Sequence, residues 1–562
     1  MSTRDPARES LARSGSLSLG GSAFAALAAL ALTALVSNAY GPAGTGVFFQ
    51  AVAIFTVATQ VLKLGTNSAL IRFISSRRAL TGQTGAWRIT LIATIPVIVV
   101  SGVVAAALAL FSAPLADLLA PASDAPRLAA LLVTMAPYIV TGAVLGVLQT
   151  VARLVRGVAT FTVLQSITLP LSRLLVAVVV ITLALGPDDT FIGWMAVLPV
   201  WLVVTVVVIG GPLLTDRRRS RTPDPKLEPT TIRQFWSFSA PRAVGASLET
   251  ALDWSDVLVV AALTSPADAG IYAVVTRAVR AGQVIDRAMR IAVSPRISHL
   301  LALGERGAAT RLHTGVTRLL ILLSWPFYLA LAILGPPVLS LFGDGFDTGA
   351  TALAILAGAM MVSSASGMLQ SVLLQGGRSS WQMYNKAAVL AVNVTLSILF
   401  VPVLGIAGAA LSWMACLLVD TALAAWQVHR VMGVRLEPRA LAPAAALPLV
   451  FFGLGCLALR LFSETPVNGA AALSLLVGLP IVALLYGGAV WLLRTRLGLR
   501  QTLTAQALTA QTLTEQAQPG RAQPGQAVTS QMVPGNRSGP GASVPDQEPQ
   551  RSHEPSTSRR DR

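Results

Sequence analysis

Residues 235–300 read FWSFSAPRAVGASLETALDWSDVLVVAALTSPADAGIYAVVTRAVRAGQVIDRAMRIAVSPRISHL, two apolar runs of helix length joined by a short polar turn. Both runs carry ionisable residues where a lipid-facing helix carries none. Asp253 and Asp256 fall in the middle and outer part of the first run, and Arg277 and Arg280 near the middle of the second. A charge at the centre of a membrane helix costs roughly 2.5–3.5 kcal/mol on insertion scales, so these side chains face a bundle interior or a water-filled cavity. Two readings stay open. Asp253 and Arg277 lie at comparable depths and suit a structural ion pair that locks the two helices. The alternative is a cavity that handles anions.

Composition supports a membrane frame. The 562-residue chain is 54% hydrophobic and 12% charged, about half the charge of an ordinary soluble protein. Its net charge of +17 would suggest nucleic acid in a soluble chain. Here the Lys and Arg residues sit in short segments between apolar spans, which is the positive-inside pattern and argues against nucleic acid. Cys416 and Cys456 lie inside apolar spans, so neither a disulfide framework nor a CxxC metal site is expected.

Working outward from 235–300, apolar spans lie near 17–39, 47–64, 89–112, 128–149, 161–186 and 191–214 on one side. On the other they lie near 313–341, 347–374, 383–402, 405–428, 440–461 and 469–493. At about 20 residues per crossing the chain makes about fourteen transmembrane helices, an all-α polytopic fold. The expected organisation is a cytoplasmic N-terminal segment at 1–16, an N-lobe of six helices at 17–216 and a basic linker at 217–234. A C-lobe of six helices follows at 235–430, then helices thirteen and fourteen at 431–498. Residues 499–562 are rich in Gln, Pro, Ser and Thr and are expected to be a disordered cytoplasmic tail. With the N-terminus inside, the inner loops collect arginines from Arg72 to Arg439, and the outer loops collect Asp117, Asp124, Asp188, Asp189, Asp268, Asp344, Asp347 and Glu464. Arg127 and Arg460 are the exceptions. Both termini are then cytoplasmic.

The two halves repeat. Arg72-Phe73-Ile74-Ser75 matches Arg296-Ile297-Ser298, and Gly46-Val47-Phe48 matches Gly270-Ile271-Tyr272, both 224 residues apart. Gly193-Trp194-Met195-Ala196 resembles Ser412-Trp413-Met414-Ala415 at a similar spacing. Six helices per repeat give both halves the same orientation about an axis along the membrane normal, with a substrate site expected at their interface. The same spacing pairs Lys63 with Arg287, one cation from each half near that axis.

An uncharged turn ending GVFF, the span ending LGTNSALIRFISS, the run LDWSDVLVVAALTSPADAGIYAVVTRA, and the segments LFGDGFDTGATALAILA and GIAGAALSW together resemble the oligosaccharide flippases. These are the Wzx-type polysaccharide exporters of the multidrug/oligosaccharidyl-lipid/polysaccharide (MOP) superfamily. The likeness covers about residues 17–435. It implies two six-helix lobes around a cavity open alternately to each side, in the cytoplasmic membrane of a bacterium. It also implies transport of undecaprenyl-pyrophosphate-linked oligosaccharide, a cell-surface polysaccharide precursor. Two relatives of that plan remain as alternatives, an ion-coupled multidrug exporter and a lipid II flippase. The resemblance gives the lipid II flippases charged residues in the first helix, and 17–39 has none. It gives proton-coupled multidrug exporters a carboxylate in the first lobe, where Lys63 and Arg173 stand instead.

An anionic lipid-linked substrate fits the cations. Arg277, Arg280 and Arg287 share roughly a quarter of one helix face, and Arg173 lies about midway along the fifth span. A guanidinium stays charged at physiological pH and grips phosphate oxygens through two parallel donors. Lys63, Arg173, Arg277, Arg280 and Arg287 are therefore the expected substrate-binding residues, with interfacial snorkelling the rival reading for Arg287. Glu249, Asp253 and Asp256 are the candidates for a structural ion pair or a coupling cation, H+ or Na+. Asp420, Lys386 and Asn393 are secondary cavity candidates. No cofactor is expected, because the chain has no GxxxxGK[ST] loop and its four histidines form no metal-spaced set. The expected partners are the lipid-linked oligosaccharide and membrane lipid, with the protein acting as a monomer. A membrane glycosyltransferase or polymerase is the enzymatic rival, and the short outer loops offer it no catalytic platform.

Overall fold

A computed structural model describes residues 6–81, 85–219, 229–369, 372–373, 379–433, 438–463 and 474–495. Much of the linker and all of the expected tail at 499–562 lie outside the described residues. Within them the chain is helical, with no strand. We label the helices α1 (Pro6–Leu62), α2 (Thr66–Thr81), α3 (Ala86–Leu110), α4 (Ser112–Leu119), α5 (Ala125–Val155), α6 (Val158–Thr182), α7 (Pro187–Arg219) and α8 (Pro229–Leu263). After these come α9 (Pro266–Ala281), α10 (Gln283–Ala302), α11 (Arg306–Ile333), α12 (Ala350–Ala365), α13 (Ser379–Gln427), α14 (Arg439–Ser463) and α15 (Leu476–Leu493). The first helix starts at Pro6, ahead of the apolar run, because the intervening Ala, Arg, Glu and Leu residues favour helix.

Ten stretches of the described residues are long and apolar enough to cross a membrane. Two of them, Gly20–Arg78 and Tyr384–Arg430, are each broken by a glycine of positive φ, Gly41 at 65° and Gly405 at 57°. A residue with a Cβ is strained there, so glycine is what lets the chain double back and cross again. The seventh and eighth crossings, α8 and then α9 with α10, fall outside that set because α8 and α10 carry several charges and α9 is only 16 residues long. Counting these, the described residues form fourteen crossings: two pseudo-symmetric six-helix lobes and two C-terminal helices.

Apolar side chains point outward as well as inward. Val103, Val207, Leu399, Val403 and Leu484 are all exposed, as a lipid-facing girdle requires. Lipid tails are as apolar as leucine, so burial alone does not drive the helices together and close packing of small residues must. Ala51, Ala53, Ala93, Ala143, Ala152 and Ala273 are accordingly fully buried. The continuous core runs through both lobes, and α11 gathers α14 and α15 into a smaller cluster through Leu322, Leu329, Phe452 and Tyr486.

The end of the bundle carrying Gly41 and Ser265 is called the outer end below, and the arginine-rich end the inner one. At the outer end Arg127 Nε donates to Asp188 Oδ2 at 2.7 Å. The arginine that broke the charge pattern is thus matched by an acid of the same end. Three stretches wound as π-helix lie beside prolines: 162–168 before Pro170, 448–453 from Pro448, and 474–478 before Pro480. A missing N–H relaxes the hydrogen-bond ladder at such places. The first of these stretches carries Gln165 and leads into Arg173.

Candidate functional site

A cavity of about 640 Å³ lies between the lobes. Lys63, Arg173, Arg277, Arg280 and Arg287 all line it, with Asp253 as its one acidic lining residue. The first crossing contributes a bland wall from Ala25 to Leu32. Glu249 is exposed and outside the cavity, and Asp256 is buried in the C-lobe behind it.

The arginines are held by aromatic rings. Arg173 lies 3.6 Å from the ring centroid of Trp194, and Arg277 lies 3.6 Å from Phe49 and 5.0 Å from Trp254. A guanidinium over a π face keeps part of its electrostatic stabilisation without water, and its edge donors stay free for a ligand. Arg277 belongs to the C-lobe and Phe49 to the N-lobe, so this contact spans the lobes. Arg277 Nη1 also donates to Ala273 O at 3.1 Å.

Sequence alone suggested a pair between Asp253 and Arg277. The structure instead places Asp253 against Arg280, with Arg280 Nη2 at 3.8 Å from Asp253 Oδ1 and also donating to the Asp253 carbonyl. Arg280 lies one helical turn from Arg277 on the same face, and matching depth could not separate them. Asp256 accepts from the Tyr272 hydroxyl at 3.4 Å through Oδ2. Nearby, Ser255 Oγ bonds Asn393 Oδ1 at 3.0 Å. Asp256 Oδ1 and Asn393 Nδ2 have no partner.

Lys63 stands where the second crossing breaks. Leu64 and Gly65 both have positive φ, 52° and 67°, and Thr66 caps the Lys63 carbonyl with its backbone N–H and its hydroxyl. A helix ending there places its negative dipole end beside the ammonium. Lys63 Nζ donates to Gln60 Oε1 at 3.1 Å, and its stem crosses Gly146 so closely that a Cβ there would lie 2.5 Å from Lys63 Cε. On the other side of the break, Ser239 of α8 donates to the Leu64 carbonyl at 2.9 Å.

The outer end of the cavity is sealed by a two-fold contact. A Cβ on Gly46 would lie 1.7 Å from the Pro266 carbonyl oxygen, and a Cβ on Gly270 would lie 2.0 Å from that of Pro42. Both pairs are related by the 224-residue repeat. Prolines start both helices, Pro42 after Gly41 and Pro266 after Ser265, whose hydroxyl caps Asp268 N at 3.1 Å. Glycine four residues later brings the two backbones into direct contact. Phe48 and Phe49 lie immediately beneath this seal and line the cavity.

Some lining residues were not singled out as cavity residues in the sequence: Phe49, Trp194 and Trp254, which sit in stretches quoted for the resemblance or the repeat, and Gln149. Gln149 is 3% exposed, lines the cavity and has an unpartnered Nε2. Lys386 and Asp420 lie away from the central cavity. They form a 2.8 Å ion pair within the C-lobe.

Comparison with known proteins agrees with this architecture. The profile of the polysaccharide biosynthesis protein family matches residues 11–301. No curated protein matches the chain. Among solved structures, the lipid II flippase MurJ in an inward closed conformation aligns with a TM-score of 0.64 at 12% identity, covering 84% of this chain and 97% of that one. An inward-facing multidrug resistance MATE family transporter of the MOP superfamily gives 0.54 at 14% identity, over 72% and 94%. A mutant of the Vibrio cholerae MATE transporter VcmN gives 0.50 at 18%, over 75% and 97%. At these identities the likeness carries the fold alone. The chain is a multi-pass membrane protein of the polysaccharide biosynthesis protein family, and its fold is that of the MurJ and MATE structures.

Proposed function

We propose that this protein flips an undecaprenyl-pyrophosphate-linked oligosaccharide across the cytoplasmic membrane of a bacterium, with the arginine-rich end and both termini on the cytoplasmic side. The observation that carries this reading is the charge of the cavity: five cations against one acid, and that acid held by Arg280. A diphosphate leaving water for a low-dielectric bilayer needs such donors, whereas a cationic drug would meet repulsion.

Spacing refines the assignment. Arg277 and Arg287 are ten residues apart on successive helices, about 15 Å along the axis. Lys63 lies about 21 Å inward of Phe49, whose ring Arg277 covers. One diphosphate is too short to bridge these levels. Lys63 with Arg287 is then the capture site near the inner mouth, and Arg173, Arg277 and Arg280 the receiving site at the blind outer end. Gln149 and Gln165 lie on the walls as neutral hydrogen-bonding groups suited to sugar hydroxyls. Asp253 serves as the structural partner of Arg280, and Glu249, being exposed, takes no part. Asp256 is the remaining candidate for a coupling H+ or Na+.

Trp194 and Trp254 lie under the arginines and report on them. Titrating the purified protein with undecaprenyl pyrophosphate is expected to change tryptophan fluorescence at a concentration at least tenfold below that needed for a cationic amphiphile of similar chain length. Added salt and the Arg173→Gln variant should each weaken the response. Tighter binding of the cationic amphiphile would overturn the reading.

A further inference from the structure

A second chamber, of about 560 Å³, lies at the inner end of the N-lobe, between α2, the end of α5 and the start of α6. It shares no lining residue with the central cavity. Ile71, Ile74, Ser75 and Arg78 line it from α2, at the spacing of a single helix face. The rest of the wall is the unbroken stretch 153–158, where the fourth crossing turns into the fifth.

That turn is tight. α5 ends at Val155, Arg156 follows as its cap, and Gly157, with φ 97° and ψ 171°, lets α6 start at Val158. A side chain at Gly157 would be strained in this conformation. No side chain caps the first turn of α6, a helix of 25 residues, so its unpaired N–H groups begin at the chamber wall. Such a helix end carries about half a positive charge and favours anions.

Three guanidiniums add whole charges to that partial one. Arg156 is fixed by its Nε, which donates to the Val208 carbonyl of α7 at 2.9 Å, and Arg153 lies 5.5 Å from the Phe161 ring centroid. Arg78 completes the set from α2. The chamber has no acidic lining residue, and none of the three arginines makes an ion pair among the described residues. Like charges gathered on adjacent helices repel, and an anion between them turns that repulsion into attraction. Phosphate suits the place, because guanidinium forks and the N–H groups of a helix start both match its oxygens.

The floor narrows the choice of phosphate. Ile71, Ile74, Leu154, Val155 and Val158 are apolar, and Ile71 is exposed. Free phosphate gains nothing from such a surface. The volume also falls within the roughly 300–1,000 Å³ of sites that hold whole small molecules. A basic rim over an apolar floor, between membrane helices at the arginine-rich end, fits a lipid headgroup with the start of its acyl chains.

We propose that this chamber binds the phosphate group of an anionic phospholipid, held by Arg78, Arg153, Arg156 and the first N–H groups of α6. The lipid then ties α2 to the α5–α6 turn. Because α2 begins three residues after Lys63, it steadies the segment that leads away from the break there. The site stands whatever the central cavity transports.

The test offers purified full-length protein, in neutral detergent, dioleoyl phosphatidylglycerol, dioleoyl phosphatidylcholine or inorganic phosphate. Native mass spectrometry counts the lipids retained. Arg78→Gln/Arg153→Gln should retain one phosphatidylglycerol fewer than wild type. Arg233→Gln/Arg311→Gln removes the same charge from elsewhere on the chain and should retain as many as wild type. All four side chains are exposed, so both variants are expected to fold. Phosphatidylcholine retention should be equal in the three proteins. Phosphatidylglycerol should also raise the wild-type unfolding midpoint by a few degrees, and inorganic phosphate at the same concentration should not. Equal losses in the two double variants would reduce the effect to surface charge. No loss in Arg78→Gln/Arg153→Gln would leave the chamber without a lipid, and stabilisation by inorganic phosphate alone would give it to a soluble anion. Each of these results would overturn the proposal.

Discussion

Arg277→Gln is expected to lower lipid flipping by about a hundredfold while leaving the protein folded and in the membrane. The guanidinium lies over Phe49 and Trp254 and donates to Ala273 O, so its free edge has room for two parallel bonds to phosphate oxygens. Each charge-assisted bond is worth roughly 1.5–3 kcal/mol, and losing two bonds near the lower bound costs about 3 kcal/mol, about a factor of a hundred. Arg277→Lys keeps the charge but loses the fork and the ring stacking, and an intermediate loss of about tenfold follows. Initial rates of flipping in proteoliposomes, normalised to reconstituted protein, check both variants. Equal rates for Arg277→Gln and wild type would remove Arg277 from the site.

Gly46→Val and Gly270→Val are expected to abolish flipping by a different route, through the outer seal. Their added Cβ atoms would fall 1.7 and 2.0 Å from opposing carbonyl oxygens, distances no backbone adjustment within one helix relieves. The second and eighth crossings must then separate, and the outer end stays open. The protein should still fold, because the packing among the helices of each lobe is left in place. Phe49→Cys beneath the seal provides the readout. Labelling of that thiol by a membrane-impermeant reagent from the outer side should be slow alone and at least tenfold faster with Gly46→Val. Combining Gly46→Val with Gly270→Val should add little, since both break one contact. Slow labelling in the Gly46→Val background would show that the glycine contact is not the seal.

Much of this was legible in the sequence because charge inside an apolar run is expensive and therefore meaningful. Lys63, Arg173, Arg277, Arg280 and Arg287 stood out for that reason, and all five line one cavity. The glycine turn at 41–46 and the 224-residue repeat gave the helix order and the pairing of lobes. Partners were less legible than positions. Depth along a helix follows from counting residues, but the choice of Arg280 over Arg277 for Asp253 depends on how two helices are rotated against each other. Aromatic plates were hidden for another reason: Phe49, Trp194 and Trp254 are as expected in a lipid-facing helix as in a cavity. Gly46 and Gly270 were visible as a repeated motif, yet only their approach in space shows why neither tolerates a side chain. Asp420 and Lys386 were visible as charges in late spans, yet only their approach in space shows that they pair with each other away from the central cavity.

The most direct test of the central claim is flipping by wild-type protein in proteoliposomes. One arm is offered a fluorescent undecaprenyl-pyrophosphate oligosaccharide, the other a cationic dye under the same ion gradients. The cationic cavity predicts transbilayer movement of the lipid-linked sugar, slowed by excess undecaprenyl pyrophosphate, and no dye transport. Dye transport without lipid movement would contradict the account and place the chain among multidrug exporters.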